Sequence, residues 1–273
     1  MQDRYTVEDL LHLMARLRDP DGGCPWDLKQ DFASIVPSTI EEAYEVAEAI
    51  EAEDFEHLHE ELGDLLFQVI FYAQLGREQD RFDFPRIVDT LVRKLLRRHP
   101  HVFPDGRLYG QRPQATVNES EVKRNWEAIK ASERGARGDA GVLAGVARGL
   151  PASTRALKLQ KRAAGVGFDW PALDGVLEKI EEEVAELRAA VAAGDSTHIR
   201  EELGDLLFSC VNAARHLKVD PEGALRDCNR KFERRFNMVE GALAADGRRP
   251  AQASLEELDA LWEKAKRVER GGE

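Results

Sequence analysis

The chain has 273 residues, 42% of them hydrophobic, which is enough for one or two ordinary cores. Its net charge of −12 repels nucleic-acid polymers and acidic membrane surfaces, although a local basic cluster can still hold a small phosphate compound. The opening Met1-Gln2-Asp3-Arg4-Tyr5 is polar and no stretch approaches the roughly 20 apolar residues of a membrane span, so a soluble cytoplasmic protein is expected.

Helical periodicity runs through most of the chain and strand alternation is scarce, so an all-α fold is expected. Asp19-Pro20-Asp21-Gly22-Gly23-Cys24-Pro25-Trp26-Asp27 cannot be a helix interior and reads as an ordered turn. Glu42 and Glu45 then share one helix face, and Glu61 and Asp64 repeat that spacing on the next helix. The pairs Glu45 with Glu61 and Glu42 with Asp64 are both centred on position 53, so a hairpin turning at Glu53-Asp54 sets them level. On the second of these helices Leu62, Leu65, Leu66, Val69, Ile70 and Ala73 form one apolar stripe. Gly63 within it costs about 1 kcal/mol relative to Ala, which points to close approach of a partner helix or, as the looser reading, to space beside the carboxylates.

The basic run Arg93-Lys94-Leu95-Leu96-Arg97-Arg98 follows, then the punctuated Arg98-His99-Pro100-His101-Val102-Phe103-Pro104-Asp105-Gly106, then Trp126-Glu127-Ala128-Ile129-Lys130. Glu133-Arg134-Gly135-Ala136-Arg137-Gly138-Asp139-Ala140-Gly141, with Gly145 and Gly149-Leu150-Pro151, reads as a linker. The expected division is a first helical bundle at 1–132, a Gly-rich linker at 133–151 and a second bundle at 152–273.

The second bundle copies the first. Glu60-Glu61-Leu62-Gly63-Asp64-Leu65-Leu66-Phe67 recurs unchanged as Glu201-Glu202-Leu203-Gly204-Asp205-Leu206-Leu207-Phe208, and Glu41-Glu42 as Glu182-Glu183. The quartet Glu183, Glu186, Glu202 and Asp205 thus stands 141 residues after Glu42, Glu45, Glu61 and Asp64. Repeat arrays have periods of roughly 20 to 50 residues, so one duplication of a domain-sized unit fits better. Here the midpoint falls at Gly194-Asp195-Ser196, a stronger turn signal than Glu53-Asp54. Arg230-Lys231-Phe232-Glu233-Arg234-Arg235 echoes the basic run, and Trp262-Glu263-Lys264-Ala265-Lys266 the tryptophan segment.

Four level carboxylates repel one another unless some are protonated or a cation sits between them. Oxygen-only ligation suits Mg²⁺, with Mn²⁺ as the alternative. A lone Glu pair is usually a solvated helix face, but a doubled and symmetric quartet weighs against that. A di-iron bundle calls for Glu-x-x-His, which is absent, and His57 and His198 read as rim residues. Lys94 with Arg98, and Lys231 with Arg235, are helical neighbours able to clamp a phosphate chain, and each tryptophan offers a stacking face. No P-loop, dinucleotide-binding fingerprint or nucleophile elbow is present. Cys24, Cys210 and Cys228 argue against a disulfide framework or zinc site and are expected to pack.

Glu-Glu-x-x-Glu followed by Glu-x-x-Asp resembles the MazG family of all-α nucleoside triphosphate pyrophosphohydrolases. The resemblance to two-repeat bacterial members extends to Leu17-Arg18-Asp19-Pro20, Gly23-Cys24-Pro25-Trp26-Asp27, Arg97-Arg98-His99-Pro100-His101-Val102-Phe103, Val166-Gly167-Phe168-Asp169-Trp170 and Lys231-Phe232-Glu233-Arg234-Arg235-Phe236. It implies Mg²⁺-dependent hydrolysis of a nucleoside triphosphate to monophosphate and pyrophosphate by a homodimer, with the C-terminal repeat doing most of the catalysis. By motif position it implies Glu183, Glu186, Glu202 and Asp205 as metal ligands, with Glu42, Glu45, Glu61 and Asp64 as their first-repeat matches. Lys179, Lys231, Arg235, Trp262 and Lys266 would contact nucleotide, and Glu182 or Glu201, each beside a ligand, would accept the proton. The family often has Lys where His198 stands, which puts one polyphosphate contact in doubt at neutral pH. Since both repeats keep the quartet, ligand identity does not explain unequal activity. The rival expectations are a helical scaffold that binds nucleotide without turning it over, and an enzyme acting on another diphosphate-containing metabolite.

Overall fold

The computed structural model describes residues 4–111, 118–136 and 141–271, and every regular element among them is helical. The chain divides into two compact units, Met1–Ala131 and Ser132–Glu273.

In the first unit Thr6 starts α1 (Val7–Leu17) with a reciprocal capping box to Asp9. Arg18 ends that helix and ties down the turn predicted after it. Its Nε and Nη2 donate to Glu78 at 2.9 and 2.7 Å, Nη1 donates to the Asp27 carbonyl, and its cation lies 5.4 Å from the centre of the Phe71 ring. Burial raises the Glu78 carboxyl, but the hydrogen bonds from Arg18 and Gln74 outweigh that and hold it below its ordinary value. Then come α2 (Val36–Glu51), α3 (Phe55–Glu78), α4 (Phe84–Arg98) and α5 (Glu119–Ala136). Met14, Ile35, Ile70, Phe71 and Leu75 form the core where α1 and the start of α2 pack on α3.

The second unit holds α6 (Ala152–Ala164), α7 (Leu173–Ala193), α8 (Ser196–Leu217), α9 (Pro221–Ala245) and α10 (Leu255–Glu269). Helix α7 packs on α8, α6 on α8 and α9, and α10 on α9, around the fully buried Val176, Val239 and Leu243. Of the segment expected as a linker, Glu133–Ala136 continues α5, Arg137–Ala140 lies outside the described residues, and Gly141 to Pro151 is turn-rich with Val146 buried.

Three sequence expectations change. The α3 stripe faces two ways, with Ile70 and Ala73 buried while Leu62, Leu66 and Val69 are exposed, and on α8 Val211 is buried while Leu203 and Leu207 are exposed. Cys210 and Cys228 are exposed rather than packed. A Cβ added at Gly63 or Gly204 meets no atom within 4 Å, so among the described residues no helix packs closely on either glycine.

Candidate metal and phosphate site

Both carboxylate hairpins form as the midpoint argument requires. In the first, Glu53 takes a left-handed turn at φ 56° and Asp54 accepts the His57 amide to start α3. In the second, Gly194 turns at φ 70° and Asp195 accepts the amides of Thr197 and His198. Each hairpin brings a trio together: oxygens of Glu42, Glu45 and Glu61 lie within 4.8 Å of one another, and so do those of Glu183, Glu186 and Glu202. Asp64 and Asp205 are exposed and stand outside the trios, although the Asp64 charge still reaches Glu42 and Glu45.

Glu61 and Glu183 are buried, and a buried carboxylate needs a partner. The two trios find theirs differently. In the first, His57 Nε2 is 2.6 Å from Glu61, and the Gln68 amide donates to Glu42 at 3.3 Å. Burial, then the charges of Asp64 and Glu45, push the Glu42 carboxyl above its usual range, and Glu45 is raised by desolvation and then by Glu61. In the second, His198 Nε2 is 2.7 Å from Glu202, and Lys179 Nζ lies 2.7 Å from Glu183 and 3.0 Å from Glu182. Hydrogen bonds to Glu183 and Glu182 hold the Lys179 ammonium well above its ordinary pKa. His57 and His198 are thus rim residues that touch the cluster, each about half exposed. Glu201 is exposed and belongs to neither trio.

The basic and aromatic residues gather separately. The Arg235 cation sits 5.8 Å from the Trp262 ring centre, Phe232 is 5.1 Å from the same ring, and Arg235 Nε donates to Glu269 at 2.7 Å. That hydrogen bond is the main cause of the lowered Glu269 pKa. Lys266 is held by Glu263 at 2.5 Å, and Lys231 is exposed. The first unit repeats the motif, with Arg98 and Lys130 5.6 and 5.2 Å from the Trp126 ring centre and His99 at 4.8 Å. Among the described residues, no hydrogen bond, ion pair or ring contact joins the Arg235–Trp262 group to the acidic trio of the second unit.

Sequence reasoning missed a cavity of about 320 Å³ in the second unit, lined by Leu159, Gln160, Phe168, Trp170, Phe208 and Asn212. Phe208 is three residues past Asp205 and six past Glu202 on α8. The Gln160 amide donates to the Phe208 carbonyl at 2.8 Å. The segment Phe168-Asp169-Trp170 is its only signal in the sequence.

The MazG nucleotide pyrophosphohydrolase domain model matches residues 30–103 and again 173–239, one match over each hairpin. The chain belongs to the MazG family. The relatives of this MazG chain include the nucleoside triphosphate pyrophosphohydrolase of Escherichia coli K12, 49% identical over 96% of the chain and 98% of that protein. The nucleoside triphosphate pyrophosphohydrolase/pyrophosphatase MazG of Thermotoga maritima is 44% identical over 95% of each. YabN of Bacillus subtilis is 42% identical over 94% of the chain and 51% of its own length. Among the described residues no helix is long and apolar enough to cross a membrane.

Proposed function

We propose that this MazG chain hydrolyses nucleoside triphosphates to the monophosphate and pyrophosphate with a divalent cation, Mg²⁺ or in its place Mn²⁺. The observation that carries this reading is the pair of acidic trios with oxygens within 4.8 Å, in a chain nearly half identical to a named pyrophosphohydrolase over almost its full length. The donor set fits a hard cation: the ligands are oxygens only, and each trio keeps a buried member whose charge calls for a counterion. Glu183, Glu186 and Glu202 would hold the cation with Asp205 at the edge, and Glu42, Glu45, Glu61 and Asp64 would do so in the first unit. A cation bound there supplies charge neutralisation of phosphate oxygens and a lowered pKa for the attacking water.

The remaining work falls to side chains. Lys179, at hydrogen-bond distance from Glu183, would meet the phosphate nearest the trio, while Lys231, Arg235 and Lys266 offset the charge that develops on the departing pyrophosphate. Trp262 offers the nucleotide a flat face. Glu182 and Glu201 are the proton acceptors in this reading, and Glu182 is already tied to Lys179. Arg235 and Lys266 must exchange Glu269 and Glu263 for phosphate oxygens when substrate arrives. The exposed apolar residues Leu203 and Leu207, matched by Leu62 and Leu66, support a homodimer that covers these faces. The reading assigns the protein to the cytoplasm, with nucleoside triphosphates rather than nucleic-acid polymers as partners.

The test is a product-resolved incubation with a panel of nucleoside triphosphates and Mg²⁺. Monophosphate and pyrophosphate should appear in equal amounts. Orthophosphate in their place rejects the cleavage position, and binding without product over hours rejects turnover in favour of a scaffold.

A further inference from the structure

The two units differ at the corner that follows the second helix of each hairpin. A displacement of 141 residues relates the quartets, but Asp83 and Asp220, which cap the next helices α4 and α9, stand 137 apart. The first corner is therefore four residues longer. Asp80 takes left-handed backbone there at φ 52°, and the Arg81 amide donates to the Gly76 carbonyl at 2.9 Å. Phe82 then packs on Gly76, where an added Cβ would lie 2.6 Å from the Phe82 carbonyl oxygen, and its ring centre is 6.0 Å from that of Phe32. These contacts fix the shape of the corner.

The longer corner sets Arg81 between Arg77, on the last turn of α3, and Arg86, on the first turn of α4. The three arginines, with Asp80, Phe82 and Asp83, line a cavity of about 230 Å³. A second cavity of about 210 Å³ shares Arg77 and Asp83 with it and is otherwise walled largely by Leu11, Ala73, Phe84 and Pro85. Other arginines of the chain are held by acids, Arg18 by Glu78, Arg215 by Asp169 and Arg248 by Glu257. Among the described residues, the guanidinium groups of Arg77, Arg81 and Arg86 make no hydrogen bond or ion pair. Asp83 is engaged in accepting the Arg86 amide at 2.9 Å. In the second unit Lys218 and Gly223 stand in the places of Arg77 and Arg86, and Arg81 has no counterpart.

An unpaired guanidinium offers a planar fork of donors that matches phosphate oxygens, and its flat face also stacks on a heterocycle. The arginine-lined cavity suits a phosphate, and the apolar cavity joined to it at Arg77 suits the sugar and base of the same molecule. Two small adjoining concavities fit one small molecule better than an extended acidic peptide. Arg77 stands 16 residues after Glu61 on α3, about 24 Å along the helix, so a mononucleotide held here does not reach the first trio.

We propose that the α3–α4 corner of the first unit is a further nucleotide site, which holds a mononucleotide by its phosphate on Arg77, Arg81 and Arg86. The site stands whether or not the hairpins hydrolyse triphosphates.

The experiment is isothermal titration calorimetry on the full-length chain in EDTA, with AMP as the probe, so that the acidic clusters hold no cation. AMP should bind more tightly than inorganic phosphate or adenosine. Arg81→Ala and Arg86→Ala should each weaken AMP about tenfold, while pyrophosphate release from triphosphates in Mg²⁺ stays unchanged. Arg81→Lys, which keeps the charge and loses the fork, should fall between. The Glu61→Ala/Glu202→Ala protein should bind AMP as the unmodified chain does. Both arginines are exposed, so these variants should fold, and thermal melting checks it. AMP binding that survives both arginine substitutions, or that is no tighter than phosphate alone, overturns the inference. So does a glutamate-rich peptide that binds the corner more tightly than AMP, which would assign it to a protein partner. Failure of pyrophosphate release in the unmodified chain overturns the hydrolase reading and leaves this one standing.

Discussion

The two carboxylate hairpins share their acidic residues and differ in what neutralises them. The second trio has an ammonium at 2.7 Å, and the first has an amide at 3.3 Å and two carboxyls pushed above their usual range. Duplication copied the acidic residues, while the neutral Ser38 stands in the first unit where Lys179 stands in the second. Identical acidic residues therefore do not imply electrostatically equal clusters, because neighbouring charges set how readily each carboxylate ionises.

The largest expected effect comes from breaking one hairpin at a time. Glu202→Ala should lower pyrophosphate release by about 10³-fold, as loss of a group that organises transition-state charge does elsewhere, whereas Glu61→Ala should leave most turnover in place. Equal losses from the two substitutions, measured at saturating Mg²⁺, would remove the asymmetry. The comparison extends to the loops that lead into the hairpins. Arg18 is buried against Glu78 and the Asp27 carbonyl, and in the second unit Arg215 pairs with Asp169. Arg18→Ala leaves Glu78 without its cation beside Phe71 and should cost about 3 kcal/mol in urea unfolding. A cost near that of an exposed ion pair would mean that Arg18 does not anchor the loop.

A pH series sharpens the contrast between trios. The raised pKa of Glu42 means that the folded protein binds this proton more tightly than the unfolded chain does. The charged form therefore weakens the fold at neutral pH, and the penalty fades as pH falls through the raised value. Without divalent cations Glu42→Gln should raise the melting temperature at pH 7, with the gain shrinking toward acid. A gain that grows toward acid would have the wrong sign for a desolvated carboxylate.

How much of this could be read from the chain depends on whether a feature is local. The hairpins were legible because carboxylate spacing on two adjacent helices is symmetric about one turn, and helix geometry converts that symmetry into proximity. Two features needed the fold. Arg235 and Lys266 look like free cations in sequence, yet acids on α10 hold both, and Glu269 lies 34 residues from Arg235. The cavity of the second unit draws its walls from α6, the Phe168–Trp170 loop and α8, which no single periodic pattern announces. The apolar stripe of α3 misled for a related reason, since periodicity marks a face as apolar without saying whether this chain or another covers it.

The smallest expected effect lies in the turns themselves. Both take left-handed backbone, but Gly194 does so freely, while Glu53 sets a Cβ against its own carbonyl at a cost of about 1 kcal/mol. Glu53→Gly relieves that strain and at the same time gives the unfolded chain more freedom, so the net gain should stay below about 1 kcal/mol. Gly194→Ala sets the strain of a Cβ at φ 70° against the smaller gain from a stiffer unfolded chain, and should cost about 1 kcal/mol net, with no atom within 4 Å to clash. If the first hairpin owes its geometry to the turn, Glu53→Gly will also loosen the first trio and weaken Mn²⁺ binding there. If it owes it to the packing of α2 on α3, affinity will hold while stability rises. Packing is the expected answer, because the buried Ala49 sits within one turn of the hairpin end and Ile70 fixes the far end of α3 in the core.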